Sequence, residues 1–271
     1  MKDSTYLFLW DTGADASIIL KDQVKLRNIP IEILNFKAID TLHHSQETFF
    51  VESEIANMEY ATIGEYKIPA QQIRVNQFSK IKDNHKAGIV GVIGQDIIST
   101  LHWKIDFQKK IIKISNLKFP EEKTEKRALV IPYFNNLKFS KVPFFTLNFD
   151  GNMKGDFLFD TGWSNSITIK TNKIFTLSPS LVFNKNTNKI KFNSLRTVEL
   201  EDQSPKKRHK KIMTLDSITI NNYEFKNFVI GEEYLKDFNF CTFHFLQLFQ
   251  RMYYNPDEKK ITFALDQGPS K

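Results

Sequence analysis

The stretch FLWDTGADAS, Phe8 to Ser17, returns in altered form as FLFDTGWSNS, Phe157 to Ser166. Each copy is an apolar run that breaks into Asp-Thr-Gly and then into small or turn-forming residues. With Gly at about 7% of residues and Asp and Thr at about 5% each, one chance Asp-Thr-Gly in a chain this long has a probability of roughly 0.05, and two copies about one in a thousand. An Asx-type turn closing a strand explains one copy. It does not explain two copies in the same apolar setting.

The physical reading is that a buried strand carries a carboxylate to its very end. The glycines, Gly13 and Gly162, then let the backbone turn sharply and let another segment approach closely. Thr12 and Thr161 add hydroxyls able to bond neighbouring backbone and stiffen the turn. If the two turns meet across a pseudo-two-fold axis, Asp11 and Asp160 come within hydrogen-bonding distance. Two carboxylates that close cannot both ionise, so the pair retains one proton and behaves as a coupled acid and base. Such a pair can hydrolyse an amide with neither a metal nor a covalent intermediate. One carboxylate takes a proton from a water while the protonated partner hydrogen-bonds to the scissile carbonyl.

Working outward, short alternating segments rich in Ile, Val, Phe and Tyr recur between Asn, Asp, Gly and Pro clusters, among them FFVESEI, KIPAQQIRV, HWKIDFQKKIIKI, VPFFTLNF, FKNFVI and RMYYNPDEKKITF. This is a strand-and-turn pattern, and the chain reads as mainly β. Helical patterning is brief, with DIISTL at Asp96 to Leu101 and FLQLFQ at Phe245 to Gln250 as its best instances. Charge and Pro replace alternation at PEEKTEKR, Pro120 to Arg127, as in an exposed connection. The predicted organisation is an N-terminal lobe at 1–119, a linker at 120–128 and a C-terminal lobe at 129–271. The offset of 149 residues that relates Asp11 to Asp160 also carries Trp103-Lys104-Ile105-Asp106 onto Met252-Tyr253-Tyr254-Asn255, the start of each lobe's closing strand. Between those anchors the offset drifts, as in an old, gapped duplication.

Bulk properties narrow the function. The 271 residues are 41% hydrophobic, enough for real cores, and carry a formal net charge of +7. The positive charge is scattered except for the run Lys206 to Lys211, which lies between two strand-like segments and reads as a solvated hairpin loop; no nucleic-acid partner is expected. The single cysteine, Cys241, excludes an internal disulfide and lies in an aromatic stretch as a buried thiol. His43 and His44 are adjacent, so on a strand they face opposite ways and do not share a metal. No zinc, P-loop or Gly-x-Ser-x-Gly pattern occurs, and neither metal nor cofactor is expected. No apolar segment has the length of a membrane span. The chain reads as soluble. The strand and turn VPFFTLNFDGNMKGDF before the second Asp-Thr-Gly have no counterpart before the first, which suggests a truncated or processed form and leaves the compartment, including export, open.

The two Asp-Thr-Gly phrases resemble those of the aspartic peptidases of the retropepsin and pepsin type. The first, Asp11-Thr12-Gly13-Ala14-Asp15, is especially similar to the retropepsin form. The resemblance implies two acid-protease β-barrel lobes in one chain, an Asp11/Asp160 catalytic dyad, and an interlocked hydroxyl network of Thr12 and Thr161 beneath it. It implies further that Ala14 and Asp15, and in the second copy Trp163 and Ser164, border an extended peptide substrate, with Asp15 binding its backbone. The family's second motif, two apolar residues and Gly, is clear at Val92-Ile93-Gly94. In the second lobe, Val229-Ile230-Gly231 fits the letters, 71 residues after Asp160, but Gly94 lies 83 after Asp11. Equal spacing gives Cys241-Thr242-Phe243 instead, with Phe in the place of Gly. Flap hairpins are implied over the cleft, with tips at Leu42-His43-His44-Ser45-Gln46 and at Leu200 to Ser204. The expected activity is that of an aspartic endopeptidase acting as a monomer with an internal two-fold. The alternative is a peptide-binding module on the same fold that no longer cleaves.

Overall fold

Alternation is what builds this chain, because a strand with one buried face needs an apolar residue at every second position. The computed structural model describes residues 5–44, 47–59, 61–76, 88–136, 139–149, 153–162, 167–170, 174–184, 196–201, 209–233 and 238–265. In the N-terminal half these form β1 (Leu7–Trp10), β2 (Ile18–Leu20), α1 (Lys21–Arg27), β3 (Glu32–His44), β4 (Glu47–Met58), β5 (Ala61–Ile63), β6 (Tyr66–Ile68), β7 (Gln71–Asn76), β8 (Ile89–Ile93), α2 (Gln95–Ile98), β9 (His102–Asp106) and β10 (Ile111–Ser115). The C-terminal half follows with β11 (Ala128–Asn136), β12 (Phe139–Phe149), β13 (Met153–Asp160), β14 (Ile167–Lys170), β15 (Ile174–Leu177), β16 (Leu181–Asn184), β17 (Arg196–Glu201), β18 (His209–Ile220), β19 (Tyr223–Glu233), β20 (Asn239–Thr242), α3 (Phe243–Leu246), β21 (Arg251–Asn255) and β22 (Lys260–Ala264). The molecule is mainly β, and among the described residues no helix is long and apolar enough to cross a membrane.

The two halves repeat one strand order. The N-terminal sheet runs β1-β8-β2-β7-β4-β3, and part of the large second sheet runs β13-β20-β16-β19-β18-β17. The directions repeat as well: β1 with β8 and β13 with β20 are parallel, β2 with β8 and β16 with β20 antiparallel, β2 with β7 and β16 with β19 parallel. The hairpin β14–β15, between the second Asp-Thr-Gly and β16, has no counterpart between β1 and β2. It lengthens the second half between the Asp turn and β16, and so contributes to the drift of the offset.

The halves are joined through their closing strands. β9 and β21 pair antiparallel at the centre of the run β10-β9-β21-β22-β11. Trp103 lies opposite Tyr254 and Ile105 opposite Met252, pairs that exchange under the 149-residue offset, while Lys104 lies opposite its own counterpart, Tyr253. The two hairpin turns that follow each place a lysine in the left-handed region, Lys110 at φ 54° and Lys259 at φ 45°. One buried apolar cluster runs through both halves, with Trp103 and Ile105 from the first and Phe159, Met252, Tyr254 and Phe263 from the second.

Three features depart from the sequence expectation. The charged connection at 120–127 is exposed at most positions, as its composition implies, but two of its glutamates are clasped by the second half. It forms a 3-10 turn over Pro120–Thr124, and the Glu122 carboxylate is buried, accepting from Thr262 Oγ1 at 2.7 Å and Asn255 Nδ2 at 3.3 Å. Glu125 takes a bidentate pair from Arg251, at 2.8 and 2.9 Å, and a third bond from the Tyr253 hydroxyl. Charged residues in a sequence read as surface, yet here their partners lie on β21 and β22, beyond the reach of local pattern. The second departure is α1, a seven-residue helix closed by Asn28 in the left-handed region, too short to show a period. The third is the register of β20.

Candidate active site

β1 and β13 each end at an Asp-Thr-Gly turn, and both are held from the side by a parallel strand, β8 and β20. The four apolar residues of β8 and β1 that meet, Leu9 against Val92 and Trp10 against Ile93, set where Asp11 leaves the sheet, and the Asp11 amide continues the pairing by donating to the Ile93 carbonyl at 3.0 Å. In the second half Phe159 lies opposite Cys241 and Asp160 opposite Thr242. Trp10 and Phe159 are counterparts, so Cys241 stands where Ile93 does and Thr242 stands where Gly94 does. Thr242 also precedes α3 as Gly94 precedes α2. The equal-spacing expectation was therefore one residue too far along: Thr242, not Phe243, takes the place of Gly, and Phe243 is 41% exposed. Val229-Ile230-Gly231 belongs to β19, which does not touch the Asp strand.

Gly94 is obligatory where it stands, since a Cβ there would lie 2.5 Å from the Ala16 carbonyl carbon. Thr242 is accommodated because its hydroxyl donates to the Pro179 carbonyl at 2.6 Å and accepts from the His244 amide at 3.2 Å, capping α3. Cys241 is buried and free, with burial pushing its thiol well above the ordinary range.

The turns interlock. The Thr12 amide donates to Thr161 Oγ1 at 3.0 Å, and the Thr161 amide donates to Thr12 Oγ1 at 3.1 Å. The hydroxyls then donate to carbonyls of the opposite strand, Thr12 to Phe159 at 2.7 Å and Thr161 to Trp10 at 2.9 Å. Every one of these contacts maps onto its partner under the 149-residue offset. The glycines behave the same way. A Cβ on Gly13 would sit 2.4 Å from Asp160 Cγ, and one on Gly162 would sit 2.4 Å from Asp11 Cγ. Each carboxyl therefore rests on the bare backbone of the other turn, a close approach that only glycine permits.

Asp11 and Asp160 hydrogen-bond to each other. Burial holds the Asp11 carboxyl above the ordinary aspartate range, and four hydrogen bonds oppose it, from the Gly13 amide, Asp160, the Gly162 amide and the Ala14 amide. The Gly13 bond to Asp11 Oδ1 measures 2.9 Å. Two half-buried carboxyls in contact, with several N–H donors around them, are able to hold one proton between them and act as a coupled acid and base.

Of the other residues expected at the site, Ala14 accepts the Gln95 amide through its carbonyl at 2.8 Å, which anchors α2 under the turn. Asp15 Oδ1 accepts from the Lys141 amide at 3.2 Å, tying the first turn to β12 of the other half. Leu42, His43 and His44 form the end of β3, opposite Phe49, Thr48 and Glu47 of β4, while their side chains and the tip at 45–46 lie outside the described residues. Trp163 and Ser164 also lie outside them, as do residues 202–204 of the second tip, although its first residues, Leu200 and Glu201, pair with Lys210 and His209. Two residues that the motif search passed over hold the first turn: Ser17 Oγ accepts the Gly94 amide at 2.9 Å and donates to Asp96 Oδ1 at 2.6 Å, and Gln95 Nε2 donates to the Thr12 carbonyl at 2.9 Å. Their signal was weak, a serine and a glutamine that the sequence presents as ordinary polar residues.

No protein-family profile and no curated protein matches the chain. Among solved structures it is similar to a retropepsin-like aspartic protease from Rickettsia conorii, at 17% identity and a TM-score of 0.31 over 51% of this chain and 90% of that one. It is similar also to basic 7S globulin from soybean, at 8% identity and 0.48 over 98% and 91%. Conglutin gamma, a basic 7S globulin from lupine seeds, matches at 8% and 0.49 over 97% and 88%.

Proposed function

We propose that the chain is an aspartic endopeptidase built as two retropepsin-like β-barrel lobes related by a pseudo-two-fold axis, with Asp11 and Asp160 as its catalytic dyad. The observation that carries this reading is the reciprocal seating of each carboxyl on the other turn's glycine, locked by the exchanged Thr12 and Thr161 bonds. The self-pairing of Lys104 with its counterpart Tyr253 and the repeated strand order among the described residues support such an axis.

In the proposed reaction a water lies between the carboxyls. The ionised member takes its proton as the oxygen attacks the scissile carbonyl carbon, and the protonated member donates to the carbonyl oxygen. The tetrahedral diol then collapses: one of its hydroxyls gives its proton to the ionised carboxylate as the C–N bond breaks, the amine nitrogen takes the proton of the other carboxyl, and the pair is left with one shared proton. Rigid turns matter here because the water must be in line with both carboxyls at once. The substrate would lie extended across the cleft, its backbone bonded by Asp15 and the turn residues Ala14, Trp163 and Ser164, and covered by Leu42, His43 and His44 at the hairpin end. Because one chain supplies both Asp residues, the active unit is a monomer and needs neither metal nor cofactor.

The test is cleavage of an unbiased peptide library between acid and neutral pH by wild type, Asp11→Ala and Asp160→Ala. The expected result is cleavage by wild type and none by either variant. Cleavage surviving both substitutions would place the site elsewhere, and library peptides that bind folded wild type without being cut would identify a peptide-binding module instead.

A further inference from the structure

The two turns are not supported alike. Gln95, the first residue of α2, is fully buried, and its Nε2 donates to the Thr12 carbonyl at 2.9 Å. That carbonyl can only accept, so the amide nitrogen must face it and Oε1 is left for the Tyr254 hydroxyl, which donates at 3.3 Å. Tyr254 is in turn hydrogen-bonded to Tyr133, their rings stacked at 5.3 Å and 15°. The Thr12 carbonyl belongs to the same peptide unit as the Gly13 amide, and that amide donates to Asp11 Oδ1. A continuous chain of donors therefore runs from the sheet that joins the halves, through Tyr254, Gln95 and one peptide group, to Asp11. Hydrogen bonds in series polarise one another, so each link strengthens the last. In the second half the first residue of the corresponding helix is Phe243, apolar and facing solvent. It has no donor to offer the Thr161 carbonyl.

We propose that Gln95 is a positioning residue that, through the Thr12–Gly13 peptide, makes Asp11 the member of the pair that ionises first and so the general base. The consequence for rate rests on the peptidase reading above; the order of ionisation does not. Asp160 is the titratable group that faces Asp11. Beneath the turn are Tyr254 and Tyr133, both raised above the ordinary tyrosine range by burial, and behind Asp160 is Cys241, raised likewise. Asp96, on the same helix as Gln95, turns instead to the Ser17 amide and hydroxyl, Asp15 to the Lys141 amide, and His244 of α3 to Gln247. The tyrosines and the thiol stay neutral from acid to neutral pH, so a titration of the site reports the aspartates.

The test is a carbon-13 carboxyl NMR titration of aspartate-labelled protein, as wild type, Gln95→Met and Tyr254→Phe, with kcat and KM measured on a cleaved peptide. In wild type Asp11 is expected to ionise first. Gln95→Met should raise the lower apparent pKa of the pair by about one unit, and Tyr254→Phe, which keeps the bond to Thr12, by a fraction of that. The kcat of Gln95→Met should fall about tenfold with KM within about twofold, and the acid limb of the pH profile should move with the titration. Gln95→Glu, whose protonated acid can donate to Thr12, should restore the wild-type titration. Wild type in which Asp160 ionises first, or variants that titrate like wild type, would overturn the proposal; should Gln95→Met fail to fold, Tyr254→Phe carries the comparison alone. A shifted titration in a protein that cuts no peptide would retain the role of Gln95 and sink the peptidase reading.

Discussion

Thr12 and Thr161 do more for the site than their size suggests, because each hydroxyl accepts one buried amide and donates to one buried carbonyl of the opposite half. Removing one hydroxyl orphans both partners. Thr161→Val is therefore expected to cost about 2–6 kcal/mol, at about 1–3 kcal/mol for each of the two groups left unsatisfied, whereas Thr161→Ser keeps both bonds and should cost under about 1 kcal/mol. Urea denaturation of the two variants measures the difference. Gly13→Ala tests the other half of the arrangement. A methyl 2.4 Å from Asp160 Cγ must push the carboxyls apart, and a displacement of this kind is expected to lower kcat about a hundredfold or more, readable in a peptide-cleavage assay with folding checked by circular dichroism. Both carboxylates and both threonines were legible in the sequence because the motif is written twice. Gln95 was not: a glutamine carries no chemistry by type, and its role comes from a carbonyl and a tyrosine brought to it by the fold.

At the scale of elements, strands were legible wherever one face is buried. FFVESEI lies in β4, and VPFFTLNF in β12, with alternation that survives in the burial of Ser53 and Ile55 and of Phe145 and Leu147. The place of Thr242 was not legible, since spacing in sequence counts loop residues while the parallel pairing of β13 with β20 ignores them. The connection at 120–128 is mostly exposed, as its charge implies, but the clasp on Glu122 and Glu125 was not legible, because their partners lie on β21 and β22. The Arg251 hydrogen bonds hold the Glu125 carboxyl below the ordinary glutamate range, against a smaller effect of burial. A depressed folded-state pKa contributes stability that is present above the unfolded value and lost as pH falls through the folded one. Glu125→Gln should accordingly cost about 1–2 kcal/mol at neutral pH, a penalty that shrinks as pH falls through the folded-state value and the wild-type carboxyl protonates too. Urea midpoints of both proteins across that range give the comparison, and a penalty that does not shrink in acid would show that the clasp acts by packing instead.

For the whole molecule, the joining sheet and the main apolar cluster are shared by the two halves: β9 pairs with β21, and Trp103 packs in the same cluster as Tyr254 and Phe263. Calorimetric unfolding is expected as one transition with calorimetric and van't Hoff enthalpies in agreement, and two resolved transitions would show halves that fold independently. The same dependence brings one carboxyl from each half together in a single half-buried site. That the two work as one dyad is tested most directly by the pH profile of kcat/KM for a cleaved peptide, measured with wild type, Asp11→Asn and Asp160→Asn. A bell with two apparent pKa values in wild type, abolished altogether in either asparagine variant, is the expected result; activity that persists in one of them, or a wild-type profile with a single limb, would contradict a dyad that works by sharing one proton.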